Sequence, residues 1–142
     1  DFYYLRHNHS KALKYIQKVL TFEPNEPYYW RRYAELNYFE FQNLEEAEYG
    51  YRKAVQNGDY SYNTLIEWVD LMFLTQKYGD ALPIVADIVH IYPHELNNYF
   101  RLSLAYYGVG DEHTALQYYQ MGVTKAPEWQ SFFEHKFNFK IQ

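Results

Sequence analysis

Six histidines and several adjacent carboxylates are the side chains of this 142-residue chain with the types and spacings for chemistry. Two histidine pairs, His7-x-His9 and His90-x3-His94, have metal-ligand spacing. A zinc-type site needs three or four convergent ligands. His7-x-His9, in an exposed first turn, has no carboxylate or Cys partner nearby. Pro93 breaks the helix that would align His90 with His94. His113 and His135 read as surface residues. Glu45-Glu46 and Asp111-Glu112 could form acid–base pairs, but each falls where a helix begins, and there negative charge complements the helix dipole. Gly108-x-Gly110 lacks the strand that a phosphate loop requires, and Asn8-His9-Ser10 matches a glycosylation triplet that is common by chance. No catalytic, metal-binding or cofactor-binding constellation emerges, so the expectation is a protein that is not an enzyme.

Bulk properties narrow the function classes further. Net charge is −5 and no block of Lys or Arg stands out, which argues against nucleic acid, because phosphate binding needs a concentrated basic face. The absence of cysteine excludes disulfides and thiolate chemistry. No segment approaches the run of about 18 apolar residues that direct membrane insertion requires. The chain is long enough to bury a core as one domain without a staple. Its aromatic content is unusual: 18 Tyr, 10 Phe and 3 Trp against 2 Met. Tyrosine combines apolar area with a polar tip, which suits half-buried helix faces and binding surfaces alike. The chain opens at Asp1 without a Met, so it is expected to be a piece of a longer product, and its compartment is left open.

The elements that must position these side chains follow from an internal repeat. Ala12, Ala47, Ala81 and Ala115 are spaced 35, 34 and 34 apart. Four residues after each comes a larger residue, Ile16, Tyr51, Val85 or Tyr119, and three further on Val19, Ala54, Ile88 or Gly122. Pro24, Pro93 and Pro127 close three units, with Asp59 in that place in the second. Ahead of three of the alanines lie Trp30-x2-Tyr33-Ala34-x2-Asn37, Leu65-x2-Trp68-Val69-x2-Met72 and Tyr99-x2-Leu102-Ser103-x2-Tyr106. Spacings of three and four put each set on one helical face. A period of 34 accommodates two helices of about 14 residues and two turns. Ala34, Ser103 and the repeat alanines would let paired helix axes approach closely, where a larger side chain would overpack the contact.

The turns support helices near 11–22, 27–41, 44–57, 62–76, 80–91, 96–109, 112–125 and 129–138. Asn43 and Asp111 can cap helices, as can Ser61, and Pro27 suits a first turn. Pro83 falls early in its helix, which must start late or bend there. One extra residue between Asn37 and Ala47 is expected in the turn around Gln42–Asn43.

This pattern resembles the tetratricopeptide repeat family, whose Trp-x2-Leu-Gly-x2-Tyr…Ala-x3-Phe…Pro signature it follows from about Ala12 to Pro127. The resemblance implies an all-α fold, a right-handed superhelical solenoid of antiparallel helix pairs with about 3.5 repeats. The expected division of the single domain is a truncated first repeat at 1–25 and complete repeats at 26–59, 60–93 and 94–127. A C-terminal helix and tail follow at 128–142. Only Asp1–Arg6 can supply the final turn of the first unit's first helix. The last segment, with Trp129, Phe132, Phe133, Phe137 and Phe139, is expected to cap the open end of the stack. Alternatively it is an anchor that reaches into a neighbouring molecule or curls into the chain's own groove.

In that family the first helices line a concave face that contacts a peptide. Carried over position by position, the resemblance implies a groove of Tyr28, Arg31, Glu35 and Tyr38 from the second unit, with Phe39. The third supplies Asn63, Ile66, Asp70 and Phe73, with Leu74, and the fourth Asn97, Phe100, Leu104 and Tyr107, with Gly108. The paired Lys and Asn by which one subgroup clamps a C-terminal carboxylate are absent at Arg31/Glu35, Ile66/Asp70 and Phe100/Leu104. The expected function is therefore a non-catalytic scaffold or adaptor module that binds an apolar or aromatic peptide or helix. The alternatives are a small secretion or assembly chaperone and a regulatory segment of a larger enzyme. The expected partner is a protein or peptide segment, with self-association through the N-terminal end or the C-terminal helix as a further expectation.

Overall fold

A computed structural model describes residues 2–139 and 141, with Phe2–Leu5 described in backbone only. The described residues form eight α-helices and no strand: α1 Phe2–Phe22, α2 Pro27–Glu35, α3 Leu44–Gln56, α4 Tyr62–Leu74, α5 Tyr78–Ile91, α6 Asn98–Gly108, α7 Glu112–Lys125 and α8 Gln130–Lys136. A π-helical turn, Leu36–Glu40, continues α2, and a 3-10 turn, Pro127–Trp129, leads into α8. The chain divides into two compact units, Asp1–Trp68 and Val69–Gln142, the division falling inside α4.

In the N-terminal unit, α1 and α2 pack through Ile16, Leu20, Tyr33 and Leu36, with Ala12, Leu13, Tyr29 and Trp30 against them. Ala34 of α2 and Ala47 of α3 are fully buried. At Gly50 a Cβ would lie 2.9 Å from the Ala34 Cβ, so here the two helices touch almost backbone to backbone. In the C-terminal unit, Ala81, Val85 and Ile88 of α5 and Ala115 and Gly122 of α7 are buried around α6. The Ser103 hydroxyl donates to the Ala115 carbonyl at 2.6 Å, so the small residue both admits the neighbouring helix and bonds to it. The small residues at the repeat positions thus set the spacing of the helix pairs in both units.

Asn43 accepts from the Glu46 N–H at 3.4 Å and Asp111 from the Thr114 N–H at 3.1 Å, capping α3 and α7 as their positions require. Pro27 stands in the first turn of α2. The Ser61 hydroxyl is engaged with Asp59 at 2.7 Å and with Thr64 at 2.9 Å.

Three details differ from the sequence expectation. Residues 2–22 form one helix with no turn near 7–10. His7-Asn8-His9-Ser10 contains neither Gly nor Pro to stop it, and Arg6 and His9 tie this stretch to the π-turn. The Arg6 guanidinium donates to the Glu40 carbonyl at 3.3 Å and lies 4.6 Å from the Phe41 ring centre. Asp1 lies outside the described residues. Second, α5 begins at Tyr78, ahead of Pro83, so of the two expected alternatives the late start is not realised. The carbonyl that loses its partner to Pro83 is that of Gly79, in the first turn.

Third, the extra residue of the second unit sits in the π-turn, not around Gln42–Asn43. Gln42, Gln76 and Gly110 occupy matching places, each with φ between 51° and 92°, each just before the residue that starts the next helix. The bond that closes each turn spans five residues at Lys77 N–H to Met72 O and at Asp111 N–H to Tyr106 O, but six at Asn43 N–H to Asn37 O. The additional residue therefore precedes Gln42, where the Phe41 N–H reaches back five positions to the Leu36 carbonyl at 3.2 Å.

Candidate functional site

In the N-terminal unit the expected face is partly exposed. Tyr28, Arg31, Glu35 and Tyr38 recur at intervals of three, four and three along α2 and its π-turn, so they share one side. Tyr28 is 59% exposed, and Arg31, Glu35 and Tyr38 are half-buried. Tyr38 stacks flat on the exposed Phe39, centroids 4.6 Å apart, and meets Tyr51 edge-on at 6.4 Å. The Arg31 Nε lies 3.3 Å and the Arg32 Nη1 3.7 Å from the same Glu35 oxygen. Beside this row is a cleft of about 290 Å³ lined by His9, Arg32, Glu35, Leu36, Phe39 and Glu40. His9, expected to have no carboxylate near it, has its Nδ1 3.2 Å from a Glu40 oxygen. Asn63 of α4 is exposed and Ile66 half-buried.

The electrostatics of this face are acidic. The Tyr51 hydroxyl donates to Glu67 at 2.9 Å. Burial pushes the Tyr51 phenol up, with the Glu67 charge adding to it. Burial also raises the Glu67 carboxyl, with the Glu35 charge adding to the effect and Arg31 opposing it. Burial alone would raise Asp59 as well, but hydrogen bonds from Ser61 and Thr64, with Arg31 nearby, hold it below its ordinary value. Arg31 is thus felt by carboxylates at Asp59 and Glu67 and shares a third, Glu35, with Arg32.

In the C-terminal unit the corresponding residues lie beneath the chain's own last segment. Phe100 is fully buried and stacks on Phe133 of α8 at 5.3 Å. Phe73 packs edge-on against Phe137 at 5.6 Å, and Tyr107 against Phe139 at 5.7 Å. Asn97 and Leu104 are buried, while Tyr107 remains 45% exposed. Asp70, buried too, accepts two bonds from Arg101, from Nε at 2.8 Å and from Nη2 at 2.9 Å. Arg101 Nη1 donates to Asn98 at 3.0 Å, and its guanidinium lies 4.8 Å from the centre of the Phe133 ring. Lys136 brings a second cation to within 3.6 Å of Asp70. The segment that could cap the stack or curl onto the groove residues makes contacts of both kinds within this unit.

Two features of the site escaped sequence reasoning. Arg101 was passed over, although it is the one charge in the otherwise uncharged run Tyr99–Gly110. The other is a recurring link between helices. Tyr119 stands four residues after its repeat alanine, as Tyr51 does, and donates to Glu134 at 2.8 Å as Tyr51 donates to Glu67. Gln130 donates to both ends of that link, at 3.0 and 2.9 Å. Burial, with the bond to Glu134, raises the Tyr119 phenol. By this register α8 meets α7 as α4 meets α3, in the manner of a further first helix.

Among the described residues no group of three or more His, Asp or Glu is placed to hold a metal ion, and no helix is long and apolar enough to cross a membrane. No family model matches the chain, and no curated protein matches it in sequence. Solved structures do match in fold. A MamA RS-1 ArsTM double mutant aligns over 94% of this chain and 81% of its own with a TM-score of 0.73 and 17% identity. MamA 41-end from Desulfovibrio magneticus RS-1 aligns over 97% and 86%, with a TM-score of 0.73 and 18% identity. A structure of Naa15/Naa10 bound to HypK-THB aligns over 83% of this chain and 18% of that one, with a TM-score of 0.71 and 18% identity. At these identities the likeness is one of fold: the chain has the tetratricopeptide-like helical-repeat architecture.

Proposed function

We propose that the chain is a non-catalytic protein–protein interaction module, holding an apolar or aromatic peptide or helix of a partner against the faces of its first helices. The observation that carries this reading is the α2 face, where Tyr28, Tyr38 and Phe39 stand exposed or half-exposed beside a charged cleft. Exposed aromatic clusters of this kind mark interaction sites, because a few large anchors supply most of the binding energy. Three carboxylates, Glu35, Asp59 and Glu67, stand against the two arginines Arg31 and Arg32, and this balance favours a partner segment that carries Lys or Arg as well as aromatics. The Naa15/Naa10 structure, in which 18% of one chain aligns with this fold, is bound to HypK-THB, and the reading carries that kind of use over to this chain.

The test is affinity capture by the full chain set beside a Tyr28→Ala, Tyr38→Ala variant whose far-UV circular dichroism is unchanged. A partner retained by the first and lost by the second is the expected result. Equal capture by both would remove the α2 face as the site.

A further inference from the structure

In the C-terminal unit, the face formed by α6 and the last turns of α4 is filled by a stretch of chain with the very chemistry assigned above to a partner. Four side chains make the contact. Phe133 covers Phe100 and Arg101, Lys136 approaches Asp70, Phe137 packs on Phe73, and Phe139 packs on Tyr107. Phe133 and Phe137 are one helical turn apart, which is how an amphipathic helix presents anchors to a groove. We infer that this face is an exchangeable binding site. It accepts a partner segment with two aromatic residues four apart and a Lys or Arg just before the second, and Phe133–Phe139 is its resident occupant. The inference rests on the reading that first-helix faces hold protein segments, and it names the chemistry of the segment.

Three observations support exchange. First, α8 has only seven residues, far short of the length at which a helix is stable alone, so its order depends on the face beneath it. Second, the cation is drawn to a particular place: Asp70, already doubly bonded to Arg101, has Lys136 at 3.6 Å, and Lys136 remains 36% exposed. A lysine or arginine from another chain can reach the same oxygen. Third, the apolar surface continues beyond the resident segment. Leu74, next to Phe73 in the chain, and Tyr107 are each 45% exposed. A partner that covers Leu74 and the part of Tyr107 left open by Phe139 gains apolar area beyond that held by Phe133–Phe139. A second copy of this chain would bring only the same segment, and an intramolecular occupant outcompetes its identical intermolecular twin through its higher effective concentration.

The experiment uses full chains and a fluorescent peptide with the sequence of residues 128–142 as the probe. Anisotropy titrations compare the unmodified chain with Phe137→Ala and with Lys136→Ala, the latter an exposed change that spares the core. Because apparent affinity scales with the fraction of open sites, the probe should bind Phe137→Ala about tenfold or more tightly than the unmodified chain, and Lys136→Ala about threefold more tightly. A probe with Ala at the positions of Phe133 and Phe137 should bind none of them. Equal binding to all three chains, or binding to none while circular dichroism shows them folded, would overturn the inference. A dimer of the unmodified chain that the probe does not disperse would also overturn it, by assigning the face to a second copy. If the probe fails while Tyr28→Ala, Tyr38→Ala still abolishes capture, this inference falls and the proposed function stands. The converse result leaves this site and removes the α2 face.

Discussion

Replacing Arg101 with Met tests how deeply the α6 face is covered. Arg101 and Asp70 are 3% and 6% exposed at the side chain, so removing the guanidinium leaves a buried carboxylate that has lost both of its charge-assisted bonds. Breaking such a pair costs about 3–5 kcal/mol. The half-exposed Lys136, 3.6 Å away, offsets about 1 kcal/mol of that. Met keeps much of the volume, and its sulfur against the Phe133 ring recovers part of the lost cation–π contact, a further fraction of about 1 kcal/mol. The expected net loss is about 2–4 kcal/mol, the pair term dominating. Adding Asp70→Leu removes the stranded charge, so the double variant should return to within about 1 kcal/mol of the unmodified chain, or exceed it. Urea unfolding followed by circular dichroism, with slopes compared across the four chains, measures the cycle. A cost below about 1 kcal/mol for Arg101→Met, typical of solvent-exposed pairs, or simple additivity of the two changes, would mean that the pair is not buried and coupled as described.

Other outcomes follow from the same geometry. Phe73→Ala should destabilise the chain by about 3–5 kcal/mol in a thermal or urea melt, because Phe73 is 3% exposed, whereas Tyr107→Ala should cost no more than about 1 kcal/mol. Gly122→Ala places a Cβ 2.9 Å from the Phe100 ring and should cost about 1–3 kcal/mol, visible as a lowered melting temperature. At alkaline pH, burial and the bond to Glu46 push the Tyr33 phenol up to about 12. The folded state therefore favours the neutral phenol, a contribution fully present below the unfolded value near 10 and lost as pH rises from there through 12. Stability measured between pH 9 and 12 should fall less steeply in Tyr33→Phe than in the unmodified chain.

The repeat was legible because its physical cause is strict: closely approaching helix axes favour a small residue at the contact, so Ala47, Ala81 and Ala115 recur in register in the second helices, while Ala34, Val69 and Ser103 hold the matching buried place in the first. The place of the extra residue was not legible. A surplus between Asn37 and Ala47 can be absorbed in a helix or in a turn, and the shared left-handed backbone at Gln42, Gln76 and Gly110 places it before the turn. The start of α1 was misread because the alanine pattern begins at Ala12, while the preceding residues are helical and held to the π-turn through Arg6 and His9. The candidate face was half legible. Spacing puts Tyr28 and Phe100 on equivalent sides of first helices, but it does not tell that Phe133, more than 30 residues after Phe100, returns to cover the second of them. Composition gave the corresponding hint, since the aromatic and basic content of residues 129–139 complements Phe73, Phe100 and Asp70.

The C-terminal segment seats itself on a first-helix face as a protein segment would. Nuclear Overhauser contacts between aromatic rings of the unmodified chain test this most directly. Cross-peaks are expected from Phe133 to Phe100 and from Phe137 to Phe73, whose ring centroids lie 5.3 and 5.6 Å apart. A helical α8 that shows neither cross-peak, with Phe100 and Phe73 reporting solvent instead, would contradict it.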